Sequence, residues 1–211
     1  MGTGTEIDAG MLATTRRSLH GVAEMVVAGP QHRRFDTIRL VVAPGGFRGL
    51  RLPLHVDGTT LRFEGGSAPL AGTYRGLAEA AGVDVGVAVD LYTDVTGIDP
   101  DEEVVVDAAA AAYLADCWAR GDAALRLLAP ESSPILWPEH FDVGITVDQV
   151  NYGLSPGDGY HPSPYAYVGP WTPPEGDFWN APFGAARPVE ELPDVAAVAA
   201  FFAEGRERAA S

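Results

Sequence analysis

From Ile38 to Phe63 the apolar residues fall on alternate positions, and this pattern limits the fold more tightly than any other. A period of two marks strands with one buried face. Ile38, Leu40 and Val42 alternate in one run, which Pro44-Gly45-Gly46 ends. Leu50, Leu52, Leu54 and Val56 alternate in a second run, and Leu61 and Phe63 in a third. Asp57-Gly58 joins the last two, and this dipeptide suits a tight hairpin because the turn needs positive φ. Pairing Val56 with Thr59 sets Leu54 opposite Leu61 and Leu52 opposite Phe63, so the apolar faces agree. Pro44-Gly45-Gly46-Phe47 reads as a hairpin turn and not a phosphate loop, since no Lys follows it.

Helical spacing surrounds this region. Residues 1–9 are Gly/Thr-rich and are expected to be a disordered tail. Leu12, Leu19, Val22 and Val26 predict a helix over 11–28, stopped by Gly29-Pro30. Arg16, His20 and Glu24 then form a solvent-facing ion-pair row. Thr73 caps a short helix to Ala81, closed by Gly82. A strand is expected near 85–91 and a short buried one at 104–106. Asp107 caps a helix to about Leu128, with Leu114, Trp118, Leu125 and Leu128 on one face and Gly121 weakening its middle. Residues 135–137, 143–147 and 165–168 read as strands. A last helix starts at Pro193 and ends with Arg206 and Arg208. The sum is α+β: antiparallel meander sheets packed with about four helices. Residues 10–211 read as a single compact domain, with a sub-boundary near 130–134 that sets 131–184 apart.

Charge narrows the partners. Net charge is 14 − 29 = −15, and every basic residue is Arg. Such an acidic balance repels nucleic-acid phosphates and anionic lipid surfaces, so neither is expected as a partner. The lone cysteine, Cys117, excludes an internal disulfide and reads as a buried thiol in an Ala-rich helix. The longest apolar run, around 108–114, is too short to span a bilayer, and no secretory signal is visible. The cytoplasm is the expected compartment, a small molecule the expected partner, and a second copy of the chain a further candidate.

Function points to 131–188. This stretch holds three of the four Trp, four of the seven Tyr and ten of the seventeen Pro, with Arg187 as its one basic residue besides histidine. Aromatics, carboxamides and carboxylates on Pro-punctuated loops are what a polar small-molecule site is made of. The densest group is 137–142. Strand alternation would place Trp137, Glu139 and Phe141 on one side and His140 and Asp142 on the other. Glu139, His140 and Asp142 are the candidate acid/base residues. Residues 151–162 follow as a long aperiodic loop carrying Asn151, Tyr152, Asp158 and His161. Trp137, Trp171, Trp179, Tyr165 and Tyr167 offer flat walls; Asn151, Asn180, Asp142 and His140 offer directed hydrogen bonds, with Tyr152 and Asp158 as further binding candidates.

The same residues admit a divalent metal as cofactor. His140, Asp142, Asp158 and His161 would be the ligands, or Asp142, Asp148, Asn151 and Asp158 around a hard cation. No helical metal motif supports either set. Each residue also has a plain structural role open to it: a histidine bonded to a loop carbonyl, or an Asn or Asp satisfying a turn. Two rivals to polar-ligand binding stay open. One is a carrier enclosing an apolar ligand; the other is an interaction module whose Trp/Tyr/Pro surface docks a partner.

The strings LWPEHFD, NYGLSPGD, PYAYVGPW and FWNAPFGAA resemble a group of mainly actinobacterial proteins of unknown function. The resemblance continues through SLHGVAEMVVAGPQHRR and the APGGF turn. It implies one architecture along nearly the whole chain and carries over no catalytic residue.

Overall fold

The computed structural model describes residues 7–88, 91, 95–172 and 174–210. The protein is α+β, and its strands form two antiparallel meanders. It divides into two compact units, Met1–Ala115 and Asp116–Ser211. No helix among the described residues is long and apolar enough to cross a membrane.

The first unit opens with α1, Ala9–Gly21, capped by Asp8, whose carboxylate accepts the Met11 N–H at 2.9 Å. Of the expected tail, 1–6 lie outside the described residues, whereas Asp8 and Ala9 belong to the helix start. The helix does not stop at Gly29-Pro30. It widens into a π segment, Val22–Ala28, and continues as α2, Gly29–Phe35. In the π register each N–H reaches five residues back, as Gly29 N–H does to the Glu24 carbonyl. Pro30 has no N–H to give to Met25. The Met25 carbonyl accepts instead from Gly86 N–H at 3.0 Å. Gly29 permits that crossing, because a Cβ there would overlap the Gly86 carbonyl oxygen.

Glu24 is not in a solvent-facing row. The whole π segment is buried, and the Glu24 carboxylate accepts from the Thr96 N–H at 3.1 Å and the Thr96 hydroxyl at 2.5 Å. Gln31, also fully buried, makes four bonds. Its amide N–H groups donate to the carbonyls of Thr37 at 3.0 Å and Arg39 at 2.9 Å. Its oxygen accepts from the N–H of Arg51 at 2.7 Å and of Leu52 at 3.1 Å.

The first meander comprises β1 Leu40–Ala43, β2 Gly46–Gly49, β3 His55–Asp57, β4 Thr60–Phe63 and β5 Gly66–Pro69. The β3–β4 register differs from the expected one: Val56 faces Leu61 and Asp57 faces Thr60. The turn is Gly58-Thr59, with Gly58 at φ 57° and Thr59 spared positive φ. Leu50 to Leu54 is not strand. Gln31 takes two of its N–H groups, and Leu52 and Leu54 reach the core from a bend. The 104–106 strand is also absent, because Val104 N–H goes to the Gly72 carbonyl and Val105 N–H to the Ser18 hydroxyl. Of the strand expected near 85–91, residues 89 and 90 lie outside the described residues and the others are not strand. The α3 helix, Tyr74–Ala80, is capped by Thr73 as predicted.

The chain enters the second unit within α4, Ala108–Leu128, whose first turn is capped by Asp107 through Ala110 N–H at 2.9 Å. The second meander runs β6 Ile135–Trp137, β7 Asp142–Val147, β8 Val150–Ser155, β9 Tyr165–Pro170 and β10 Ala185–Pro188. Helix α5, Val195–Ala209, starts two residues past Pro193, with Asp194 as its cap. One sheet face, with Val143, Tyr152, Leu154, Ala166 and Val168, is buried. Gly121 is a point of close approach and not a weakness: a Cβ there would stand 2.8 Å from Leu154 and 2.9 Å from Val143. Gly205 brings α5 against Val168 in the same way.

Candidate functional site

The other face of the second meander carries the polar residues. Its position follows from two tight turns. Asp148-Gln149, both at positive φ (52° and 64°), close the β7–β8 hairpin. The 137–142 segment is a hairpin as well, not one extended strand. Trp137 pairs with Asp142, and Phe141 N–H reaches the Trp137 carbonyl at 2.7 Å. Phe141 sits at φ 57°, a costly conformation for a bulky side chain. Packing holds it there: its ring meets Trp118 edge-on at 4.8 Å, and the Trp118 indole N–H donates to its carbonyl at 3.3 Å. The strained residue thus fixes Asp142 at the mouth of β7.

Register then assembles the face. Gly144 lies opposite Gly153, which lies opposite Tyr167; Ser155 lies opposite Tyr165. Two glycines in a row leave a trough. A Cβ on Gly153 would overlap the Tyr167 hydroxyl, and one on Gly144 would stand 3.1 Å from it. The Tyr167 ring fills the trough and donates its hydroxyl to Asp142 Oδ2. Asp142 is 7% exposed, and its Oδ1 has no hydrogen-bond partner. Burial pushes the Asp142 carboxyl above its ordinary range; the Tyr167 bond, nearby His140 and the residue's own backbone N–H oppose the shift, and Glu139 adds to it. Burial also raises the Tyr167 hydroxyl, reinforced by Asp142.

A second tyrosine–carboxylate pair lies beside the first. The Tyr165 hydroxyl donates to Asp158 Oδ2 at 2.6 Å, and Tyr165, 5% exposed, is raised by burial and then by that bond. Phe183 stacks on Tyr165 at 6.3 Å and meets Tyr160 and Tyr167 edge-on.

The sequence candidates separate by what their atoms do. Glu139 is half-buried in the turn, and its Oε2 is buried with no hydrogen-bond partner. His140 is exposed and acts on Asp142 through charge, not through a hydrogen bond. Trp137 is half-buried beside them. Asp158 is occupied: besides Tyr165 and Ser155 it accepts the N–H groups of Tyr160 and His161. His161 Nδ1 bonds the Ser163 carbonyl at 2.8 Å. Asn180 is a backbone clamp, donating to the Ala186 carbonyl at 3.1 Å and accepting its N–H at 2.9 Å. Tyr152 lies on the buried face, its ring edge-on to Phe202. Asn151 accepts the Thr146 hydroxyl, and Asp148 pairs with Arg206. Trp171 is 66% exposed, and Trp179 packs on Phe178.

The expected loop over 151–162 is therefore half strand. Val150, Tyr152 and Leu154 alternate, but Gly153 and the polar flanks mask the pattern in the sequence. Among the described residues no three His, Cys, Asp or Glu side chains are grouped to hold a metal ion. The role of Tyr167 as donor to Asp142 was missed, although pairing Gly153 with a tyrosine would have exposed it. Comparison with protein-family models, curated proteins and solved structures finds no match to this chain.

Proposed function

We propose that the second unit binds a small polar ligand at the Asp142–Tyr167 face, with Asp142 placed to exchange a proton with it. One observation carries this reading: a carboxyl more than nine-tenths buried has one oxygen bonded by Tyr167 and the other bonded by nothing. A buried orphan of that kind costs about 1–3 kcal/mol, so a fold that retains one has a use for it. The strained Phe141 beside it agrees, since such strain gathers at functional sites. Glu139 and Trp137 belong to the same hairpin, and Glu139 and His140 act on the Asp142 carboxyl through charge.

A thermal-shift screen of small polar compounds, run on the protein and on Asp142→Asn, tests the reading. Compounds that stabilise the protein should lose that effect in the variant. If every such compound stabilises the variant equally, Asp142 is not in the site. A second reading, docking of a protein partner, has one observation in its favour, the exposure of Trp171.

A further inference from the structure

The ligand's charge can be read from what surrounds Asp142, given that Asp142 is the binding group. We infer that this site takes an organic cation, a small ammonium compound whose N–H groups bond Asp142 Oδ1 and Glu139 Oε2.

Three independent observations lead there. The first is the demand for donors. Two carboxylate oxygens on one short hairpin, Asp142 Oδ1 and Glu139 Oε2, are buried without a partner. Ionised carboxylates only accept, so a group with several N–H donors on one atom satisfies both at once. The second is the absence of a competing cation. Residues 131–184 contain seven Asp or Glu and no Lys or Arg. The arginines of the second unit are engaged elsewhere: Arg120 with Asp116, Arg126 with Asp122, Arg187 and Arg208 with Glu204, and Arg206 with Asp148. An anionic ligand would meet carboxylates with no Lys or Arg in the segment to answer it. The third is aromatic. Trp137 pairs with Asp142 across the hairpin, and Tyr167 lies over the trough. Ring faces attract a cation once its water is removed. A ligand cation also offsets the burial that opposes ionising Asp142.

The test compares benzylammonium, benzyl alcohol and benzoate, which share a ring and differ in charge. Binding is followed by the NMR shifts of Tyr167 and Asp142 in the whole protein. Benzylammonium should bind about tenfold more tightly than the other two. Asp142→Asn and Glu139→Gln should each remove that preference; Glu139 sits in a turn, so its variant keeps the test open if the first fails to fold. If benzoate or benzyl alcohol shifts these residues at equal or lower concentration, the cation is wrong and the site stands. If none of the three moves them up to its solubility limit, both the cation and the site reading fail.

Discussion

Gln31 in the first unit and Asp142 in the second are both buried polar side chains, and they are opposites. Gln31 spends its amide on four backbone groups and leaves nothing over. Asp142 takes one bond from Tyr167 and leaves Oδ1 empty. Burial alone therefore does not separate structure from function; the accounting of donors and acceptors does. A saturated group ties the π-containing helix to irregular chain around it. An unsaturated one, held by a strained turn, is the group proposed to meet a ligand.

The contrast can be broken first at Gln31. Gln31→Leu orphans the Thr37 and Arg39 carbonyls and the Arg51 and Leu52 N–H groups, and should cost about 3–5 kcal/mol in urea unfolding. A loss below about 1 kcal/mol would mean water replaces the amide and Gln31 is no hub. Gly153→Ala drives a methyl into the Tyr167 hydroxyl and should cost about 1–3 kcal/mol. It should also free Tyr167 to titrate nearer its ordinary value of 10.0, read by ultraviolet absorbance. An unchanged titration would show that the trough does not hold the ring.

Asp142→Asn should cost less than either of these at neutral pH, within about 1 kcal/mol, because burial opposes the charge on the carboxylate. Its signature is a slope. Above the ordinary value of 3.8 the folded protein holds a proton at Asp142 that the unfolded chain has released. Stability attached to this group therefore falls as pH rises from 3.8 to the raised folded value, and levels off above it. Asp142→Asn should lack that fall in urea midpoints measured across acid to neutral pH. Identical slopes in the two proteins would contradict the raised carboxyl. His140→Ala, at an exposed position, should change stability by less than about 0.5 kcal/mol while pushing the Asp142 carboxyl further up, since a charge that opposes the shift is gone. An unmoved Asp142 titration would remove His140 from the site.

Short-range chemistry was legible in the sequence. The caps Thr73 and Asp107 act three residues away, and both helices start where predicted. Trp137, Tyr165 and the 143–147 alternation placed most of the second meander. What failed depended on partners distant in the chain. Gly29-Pro30 reads as a stop until Gly86 supplies the N–H that Pro30 lacks. Leu50 to Leu54 alternates like a strand, yet Gln31 takes its backbone groups. The Tyr167–Asp142 bond joins residues 25 apart in sequence, and only the register of β7, β8 and β9 brings them together. Asn180 and Asp158 looked like ligand groups because a turn clamp and a binding residue have the same composition.

The carboxyl-carbon NMR titration of Asp142 in the free protein is the most direct test. Its midpoint should lie clearly above the ordinary 3.8 and move down when a cation binds at Oδ1. A midpoint at or below 3.8 in the free protein would contradict it, because Oδ1 would then already have a donor and Asp142 would be as saturated as Gln31.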